Sequence, residues 1–82
     1  MVQIHPHARE RMSERGATSG EVEQAVNEGE QFPAQFGRQG FRRNFAISGL
    51  WRGKAYSTKQ IEAYAVFENN EWLVIAVIVK YF

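Results

Sequence analysis

Hydrophobic residues follow two different spacings along this chain. Up to Gly29 they recur three and four positions apart, as on one face of an amphipathic helix. From residue 31 onward they alternate with polar residues, as in a strand that is buried on one face. The change of period predicts an α+β protein in which two N-terminal helices precede an antiparallel sheet.

The two predicted helices have recognisable ends. Pro6 suits the first position of a helix, and Gly16 suits the residue that follows its end near Arg15. Thr18 and Glu21 have the spacing of a capping box at the start of a second helix, which we expect to end at about Glu28. The residues expected to face the core are Ala8 and Met12 on the first helix and Val22, Ala25 and Val26 on the second.

The alternating part predicts up to four strands. Pro33 places the first of them, residues 31–36, at a sheet edge, because proline cannot donate a ladder hydrogen bond. A hairpin turn is expected at residues 37–40, and Asn69-Asn70 suits a tight turn. The apolar run Trp72–Val79 predicts a central strand covered on one face by the helices. Residues 49–58 fit either a loop or a continuation of the flanking strands.

Composition limits the kinds of protein that this chain can be. Its 82 residues suit a single domain, residues 1–82, and the absence of cysteine excludes disulfides and thiol catalysis. We expect no metal site, because His5 and His7 are the only histidines. No signal peptide is visible and no apolar run is long enough to cross a bilayer as a helix, so we expect a cytoplasmic protein.

The charge distribution says more than the net charge of +1. The segment between residues 38 and 59 contains several basic residues and no Asp or Glu: Arg38, Arg42, Arg43, Arg52, Lys54 and Lys59. A local cationic surface on a nearly neutral domain is therefore expected.

His7, Arg11 and Arg15 are spaced four residues apart, so they share one face of the first helix. An imidazole that moves a proton and two guanidiniums that bind an anion suit a phosphodiester. The alternative is a solvated face whose arginines pair with acids such as Glu10 and Glu14.

Further cations on the predicted sheet have two interpretations. Arg43 interrupts an apolar face, so it either meets an acid or contacts phosphate. Counting outward from Asn69-Asn70 places Lys59 opposite Lys80, where a bound anion would relieve their repulsion unless both splay into water. Tyr81, beside this point, could stack on a base or donate a proton.

The motif His7-Ala8-x-x-Arg11-Met12-x-x-Arg15-Gly16, followed by Ser19-x-Glu21-Val22-x-x-Ala25-Val26-x-x-Gly29, resembles a family of small bacterial domains of unknown function. That family looks related to RelE-like and BrnT-like toxins. The resemblance implies helices on a curved antiparallel sheet of three to four strands, a metal-independent ribonuclease activity without a cofactor, messenger RNA as substrate and an antitoxin protein as partner.

These observations together lead to one hypothesis and one rival. In the first, the chain is a toxin-type endoribonuclease: His7 is the general acid or base, Arg11, Arg15 and Lys80 stabilise the phosphorane, and Arg42, Arg43, Lys59 and Tyr81 contact the RNA. In the rival, the chain is a non-catalytic module that binds another protein through the strand edge near Pro33 or through its Phe-rich sheet face.

Overall fold

The computed structural model describes residues 2–82 as two short helices and five strands. The elements in chain order are β1 Val2–Ile4, α1 Pro6–Glu14, α2 Ser19–Glu28, β2 Glu30–Pro33, β3 Gln39–Trp51, β4 Lys54–Glu68 and β5 Glu71–Tyr81. The α+β content expected from the two hydrophobic periods is confirmed.

The predicted architecture, two N-terminal helices on a RelE-like antiparallel sheet of three to four strands, is wrong. The strands form a single five-stranded mixed sheet in the order β1-β5-β4-β3-β2. The additional strand is β1, which precedes both helices and pairs parallel to β5. With three residues it is too short to show an alternating pattern, and only its partner in the folded chain makes it a strand.

The helix ends form as local chemistry dictates. Pro6 occupies the first turn of α1, and the His5 side chain accepts a hydrogen bond from the backbone N–H of His7. The capping box of α2 is complete: Glu21 N–H donates to Thr18 Oγ1, and Thr18 N–H donates to Glu21 Oε1. Both predicted helices are thereby confirmed.

The predicted central position of Trp72–Val79 is wrong. β4 lies at the centre of the sheet, and β1 pairs with β5 only from Trp72 to Val74. Among residues 2–82, no strand pairs with that side of β5 beyond Val74. Beyond Val74, this edge of β5 lies against α1 instead of a second full-length strand.

A bulge changes the register that the sequence predicted. The Asn69-Asn70 turn forms as expected, with both residues at positive φ. Between Tyr64 and Ala65 the pairing of β4 with β5 then shifts by one residue. Lys80 consequently lies opposite Gln60, and Lys59 opposite Tyr81, so the predicted Lys59–Lys80 pair does not exist. A bulge of this kind moves side chains to the other face of the sheet.

The two remaining turns differ from the simple pattern. Residues 49–58 continue β3 and β4 as a two-stranded arm that turns at Arg52-Gly53, where φ is 53° and 80°. The turn between β2 and β3 spans residues 34–38 instead of 37–40, with Phe36 and Gly37 at positive φ. Pro33 ends the edge strand β2, as predicted.

The core lies between the helices and one face of the sheet. The helical residues expected to be buried are all buried, and they meet Phe41 of β3, Ile61, Ala63 and Ala65 of β4, and Val74 and Val77 of β5. Phe41 is fully buried and lies edge-on to Trp72 with ring centres 5.0 Å apart. This side of the sheet, called the inner face below, is closed. No helix of residues 2–82 covers its other side, which is called the open face.

Candidate functional site

The basic row of α1 lies along the free edge of β5. Burial of Ala8 and Met12 fixes the rotation of the helix, which turns His7, Arg11 and Arg15 toward the strand edge. With Ile75–Ile78 these side chains line a groove of about 240 Å³. We call it the α1–β5 groove.

The three side chains of this row have no partner in the described part of the chain. Neither arginine forms an ion pair with Glu10, Glu14 or Glu62, and the imidazole of His7 makes no hydrogen bond within residues 2–82. Arg9 on the same helix, by contrast, donates to Ser19 Oγ at 2.8 Å. The groove therefore presents unneutralised positive charge beside the part of β5 that no other strand of residues 2–82 pairs with on this side.

Lys80 belongs to a different cluster, on the open face. Its Nζ lies 3.7 Å from Glu62 Oε2, and the same carboxylate accepts a hydrogen bond from Arg42 Nε at 3.0 Å. Glu62 is almost fully buried and also accepts from the Tyr64 hydroxyl at 3.2 Å. Burial raises the pKa of Tyr64, and the nearby Glu62 charge raises it further. Lys80 is thus committed to a carboxylate and does not line the α1–β5 groove.

Arg42 and Arg43 point to opposite faces of β3. Arg42 pairs with Glu30 and Glu62, and its guanidinium lies 4.4 Å from the centre of the Phe32 ring. Arg43 is on the inner face, where its Nη1 approaches Glu28 Oε1 at 4.0 Å and its buried Nε has no hydrogen-bond partner within residues 2–82. Both arginines meet acids, which matches the structural interpretation given above for Arg43.

Lys59 and Tyr81 bind the segment that connects the two helices. Lys59 is buried, and its Nζ donates to the Gly16 carbonyl and pairs with Glu21 Oε1, both at 2.8 Å. The Tyr81 hydroxyl donates to the Arg15 carbonyl at 2.8 Å, and its ring stacks on Trp51. Burial, followed by the Glu21 charge, raises the pKa of Tyr81. These two residues bind the carbonyls of Arg15 and Gly16, which follow α1, and they also line a small cavity of about 200 Å³ that is separate from the α1–β5 groove.

The bulge between Tyr64 and Ala65 explains why Lys59 and Lys80, which the sequence placed opposite each other, lie apart. In the shifted register Lys59 and Tyr81 face the helices, whereas Gln60 and Lys80 face the open side. Of the eight predicted site residues, the structure brings His7, Arg11 and Arg15 together at one groove. The other five lie outside this groove: Arg42 and Lys80 share Glu62, Arg43 approaches Glu28, and Lys59 and Tyr81 bind the segment between the helices.

A second cavity was missed by the sequence analysis. It lies on the open face at the β2–β3 turn, has a volume of about 440 Å³, and is lined by Phe32, Pro33, Ala34, Gln35, Phe36, Arg38, Tyr64 and Ala76. Ala76 also lines the α1–β5 groove. Phe32 and Phe36 fitted a strand pattern in the sequence, but Phe36 is in the turn, with φ of 63° and 83% of its surface exposed. In the sequence, only the closeness of Phe36 to Arg38 could have indicated this cavity.

Two further observations concern metal binding and membrane crossing. No group of three or more potential metal-binding side chains occurs in residues 2–82. No helix in the same range is long and apolar enough to cross a membrane.

The fold and groove define a small α+β domain with a five-stranded mixed sheet and a basic helix face at the edge of β5 that has no acidic partner within residues 2–82. The model of the family described as "Domain of unknown function (DUF4258)" matches residues 4–79. The chain therefore belongs to this family, which confirms the family expected from the sequence. No curated protein and no solved structure matches the chain, so the relation to RelE-like folds has no support.

Proposed function

We propose that this domain is a metal-independent endoribonuclease whose α1–β5 groove binds the phosphates of RNA. The observation that supports the proposal is the row of His7, Arg11 and Arg15, which lacks any acidic partner in the described chain. Neighbouring cations repel each other on a helix, and a bound phosphodiester would offset that repulsion.

The proposed reaction takes its nucleophile from the substrate. The 2′ oxygen forms a bond to the adjacent phosphorus, and the bond from phosphorus to the 5′ oxygen breaks. The 2′-hydroxyl loses a proton and the 5′ oxygen gains one. His7 performs one of these two transfers as general base or general acid, and water performs the other. The reaction needs no cofactor because RNA supplies the attacking oxygen.

The two arginines have a separate role in this scheme. Arg11 and Arg15 are one helical turn apart, so both can bind oxygens of one phosphate or of two successive phosphates. Their charge would stabilise the phosphorane, which is more negative than the substrate. Lys80 and Lys59 are left out of the scheme because Glu62 and Glu21 hold them.

The toxin–antitoxin context is also a proposal, and it rests on the toxin resemblance of the opening motif. In that context messenger RNA is the substrate and a cognate antitoxin covers the groove. Induced expression in bacteria should arrest growth and fragment RNA, and His7→Ala should abolish both effects.

The rival function, a non-catalytic module that binds another protein, has less support. Phe41 of the Phe-rich face is fully buried under the helices and cannot dock a partner. The edge strand β2 is four residues long and ends at Pro33, which lacks an N–H for strand addition.

Purified protein tests the proposal directly. A fluorescent single-stranded RNA is titrated and incubated with the protein in EDTA at several salt concentrations. We expect salt-sensitive binding and products that end in a 2′,3′-cyclic phosphate. His7→Ala should lower the cleavage rate by about 100-fold or more and leave RNA binding nearly unchanged.

Arg9 provides a matched control because it lies on the same helix outside the groove. Arg11→Ala should reduce the slope of log affinity against log salt by about 0.7, the value for one phosphate contact on a single strand. Arg9→Ala should change this slope much less. An absence of binding at low salt, or equal effects of the two arginine variants, would refute the groove assignment.

A further inference from the structure

A row of side chains crosses four strands of the open face beside the α1–β5 groove. Phe32 of β2 lies opposite Gly40 of β3, Gly40 lies opposite Tyr64 of β4, and Tyr64 lies opposite Ala76 of β5. Along this row, the Phe32 ring is followed by Gly40, which has no side chain, then by the Tyr64 ring and the Ala76 methyl group. Two small positions alternate with two aromatic ones, so no large side chain separates the two rings or follows Tyr64 in this row.

Gly40 fixes the position of the Phe32 ring. A Cβ at this glycine would lie 2.3 Å from the ring, so the ring occupies the space that any other residue would fill. Phe32 then meets Tyr64 edge-to-face, with ring centres 5.9 Å apart and planes at 86°. The two rings form a rigid apolar wall, because Tyr64 is also hydrogen-bonded to the buried Glu62.

Phe36 stands at the rim of the same cavity in a costly arrangement. A bulky residue at a φ of 63° is strained, and 83% of the surface of Phe36 is exposed to water. The turn that holds it is closed by two hydrogen bonds, from Ala34 N–H to the Arg38 carbonyl and from Arg38 N–H to the Gln35 carbonyl. The guanidinium of Arg38 lies 5.7 Å from the ring centre. Exposed strain of this kind is typical of ligand-binding positions.

We infer that this cavity, called the aromatic pocket, binds an unpaired nucleobase of the RNA whose phosphate lies in the α1–β5 groove. A base offers a flat ring for Phe36 to stack on and polar edges for the side chains of Gln35 and Arg38. Ala76 lines both cavities, so one nucleotide chain can occupy them together.

The inference names the substrate class and rests on the proposed function. Stacking requires an unstacked base, so the substrate is single-stranded RNA rather than a duplex. Purines, with their larger rings, should bind better than pyrimidines.

The test compares oligomers of equal charge. A short 2′-O-methyl oligoadenylate, which cannot be cleaved because its nucleophile is blocked, is titrated beside an abasic oligomer with the same number of phosphates. Fluorescence anisotropy at low salt gives both affinities. We expect the intact oligomer to bind about 5- to 100-fold more tightly than the abasic one.

Phe36→Ala should remove most of this preference and leave the affinity for the abasic oligomer unchanged. Because Phe36 is largely exposed, the variant should fold normally. Phe67→Ala is the matched control: Phe67 is also exposed, at 58%, but it does not line the aromatic pocket and packs on Trp72 instead. It should keep the full preference.

The outcomes separate the two proposals. Equal binding of intact and abasic oligomers by the unmodified protein would overturn the aromatic pocket and leave the phosphate groove intact. Equal loss of preference in Phe36→Ala and Phe67→Ala would also overturn the pocket. If neither oligomer binds, the proposed function itself fails.

Discussion

Replacing Lys59 by Met should destabilise the fold much more than a surface lysine substitution does. The Lys59 ammonium lies 2.8 Å from both the Gly16 carbonyl and Glu21 Oε1, and its side chain is only 11% exposed. Met keeps most of the apolar stem but removes the donor and the charge. The Gly16 carbonyl, in the connection between α1 and α2, then has no partner from β4.

The expected cost follows from these contacts. A hydrogen bond from a charged donor contributes about 1.5–3 kcal/mol, and breaking a fully buried ion pair costs about 3–5 kcal/mol. Glu21 remains 21% exposed and keeps its hydrogen bond from Thr18 N–H, so its loss is smaller than in a fully buried pair. We expect a net loss of about 2–4 kcal/mol in the free energy of unfolding.

Urea denaturation followed by circular dichroism measures this quantity, and a thermal scan gives a second estimate. For a domain of this size, the loss corresponds to a decrease of about 10–30 °C in Tm. Lys54→Met is the control, because Lys54 is exposed at the tip of the β3–β4 arm and forms no ion pair within residues 2–82. It should change stability by less than about 0.5 kcal/mol.

The result also decides the role of Lys59. If Lys59→Met is as stable as Lys54→Met, the structural role argued here is wrong. If it loses stability but the folded variant binds RNA as tightly as the unmodified protein, Lys59 acts through the fold and not through contact with RNA.

Two further substitutions probe the open face and the aromatic hydroxyls. Glu62→Gln should lower the free energy of unfolding, measured by urea denaturation, by about 1–3 kcal/mol, because the buried carboxylate that binds Arg42, Tyr64 and Lys80 becomes a neutral amide. An unchanged denaturation midpoint would contradict this network. The native pKa values of Tyr64 and Tyr81 lie above their ordinary value of 10.0, so the folded state holds both protons more tightly than the unfolded chain does. The stability that results is fully present below about pH 10 and is lost as the pH rises through the native values. Denaturation at increasing alkaline pH should show this loss of stability, and the loss should be smaller in Tyr81→Phe. If Tyr81→Phe loses as much stability as the unmodified protein, Tyr81 does not contribute to the pH dependence.

Local interactions made several features of this protein predictable from its sequence. Pro6, Gly16 and the Thr18–Glu21 capping box act within a few residues, so the helices and their ends formed as expected. Asn69-Asn70 likewise tolerates positive φ without help from the rest of the chain. The alignment of His7, Arg11 and Arg15 follows from helical geometry alone.

Features that depend on long-range pairing were beyond the sequence pattern. A three-residue strand such as β1 has no period of its own and becomes visible only through its pairing with Trp72–Val74. The bulge beside Tyr64 has no distinctive residue, yet it placed Lys59 and Lys80, which were expected on the same face, on opposite faces of the sheet. The continuous apolar run of β5 indicated a central strand covered by the helices, but not that α1 lies along the edge where a second full-length strand was expected.

The candidate site divides in the same way. The sequence by itself determined the basic row, because one helix contains all of it. Only the tertiary structure decided that the row meets the free edge of β5 and that Glu62, Glu28 and Glu21 neutralise the other cations. It alone also assembled the aromatic pocket, because the rings and the small residues between them come from different strands. Their neighbourhood depends on register, which is set by the whole sheet and not by any one segment.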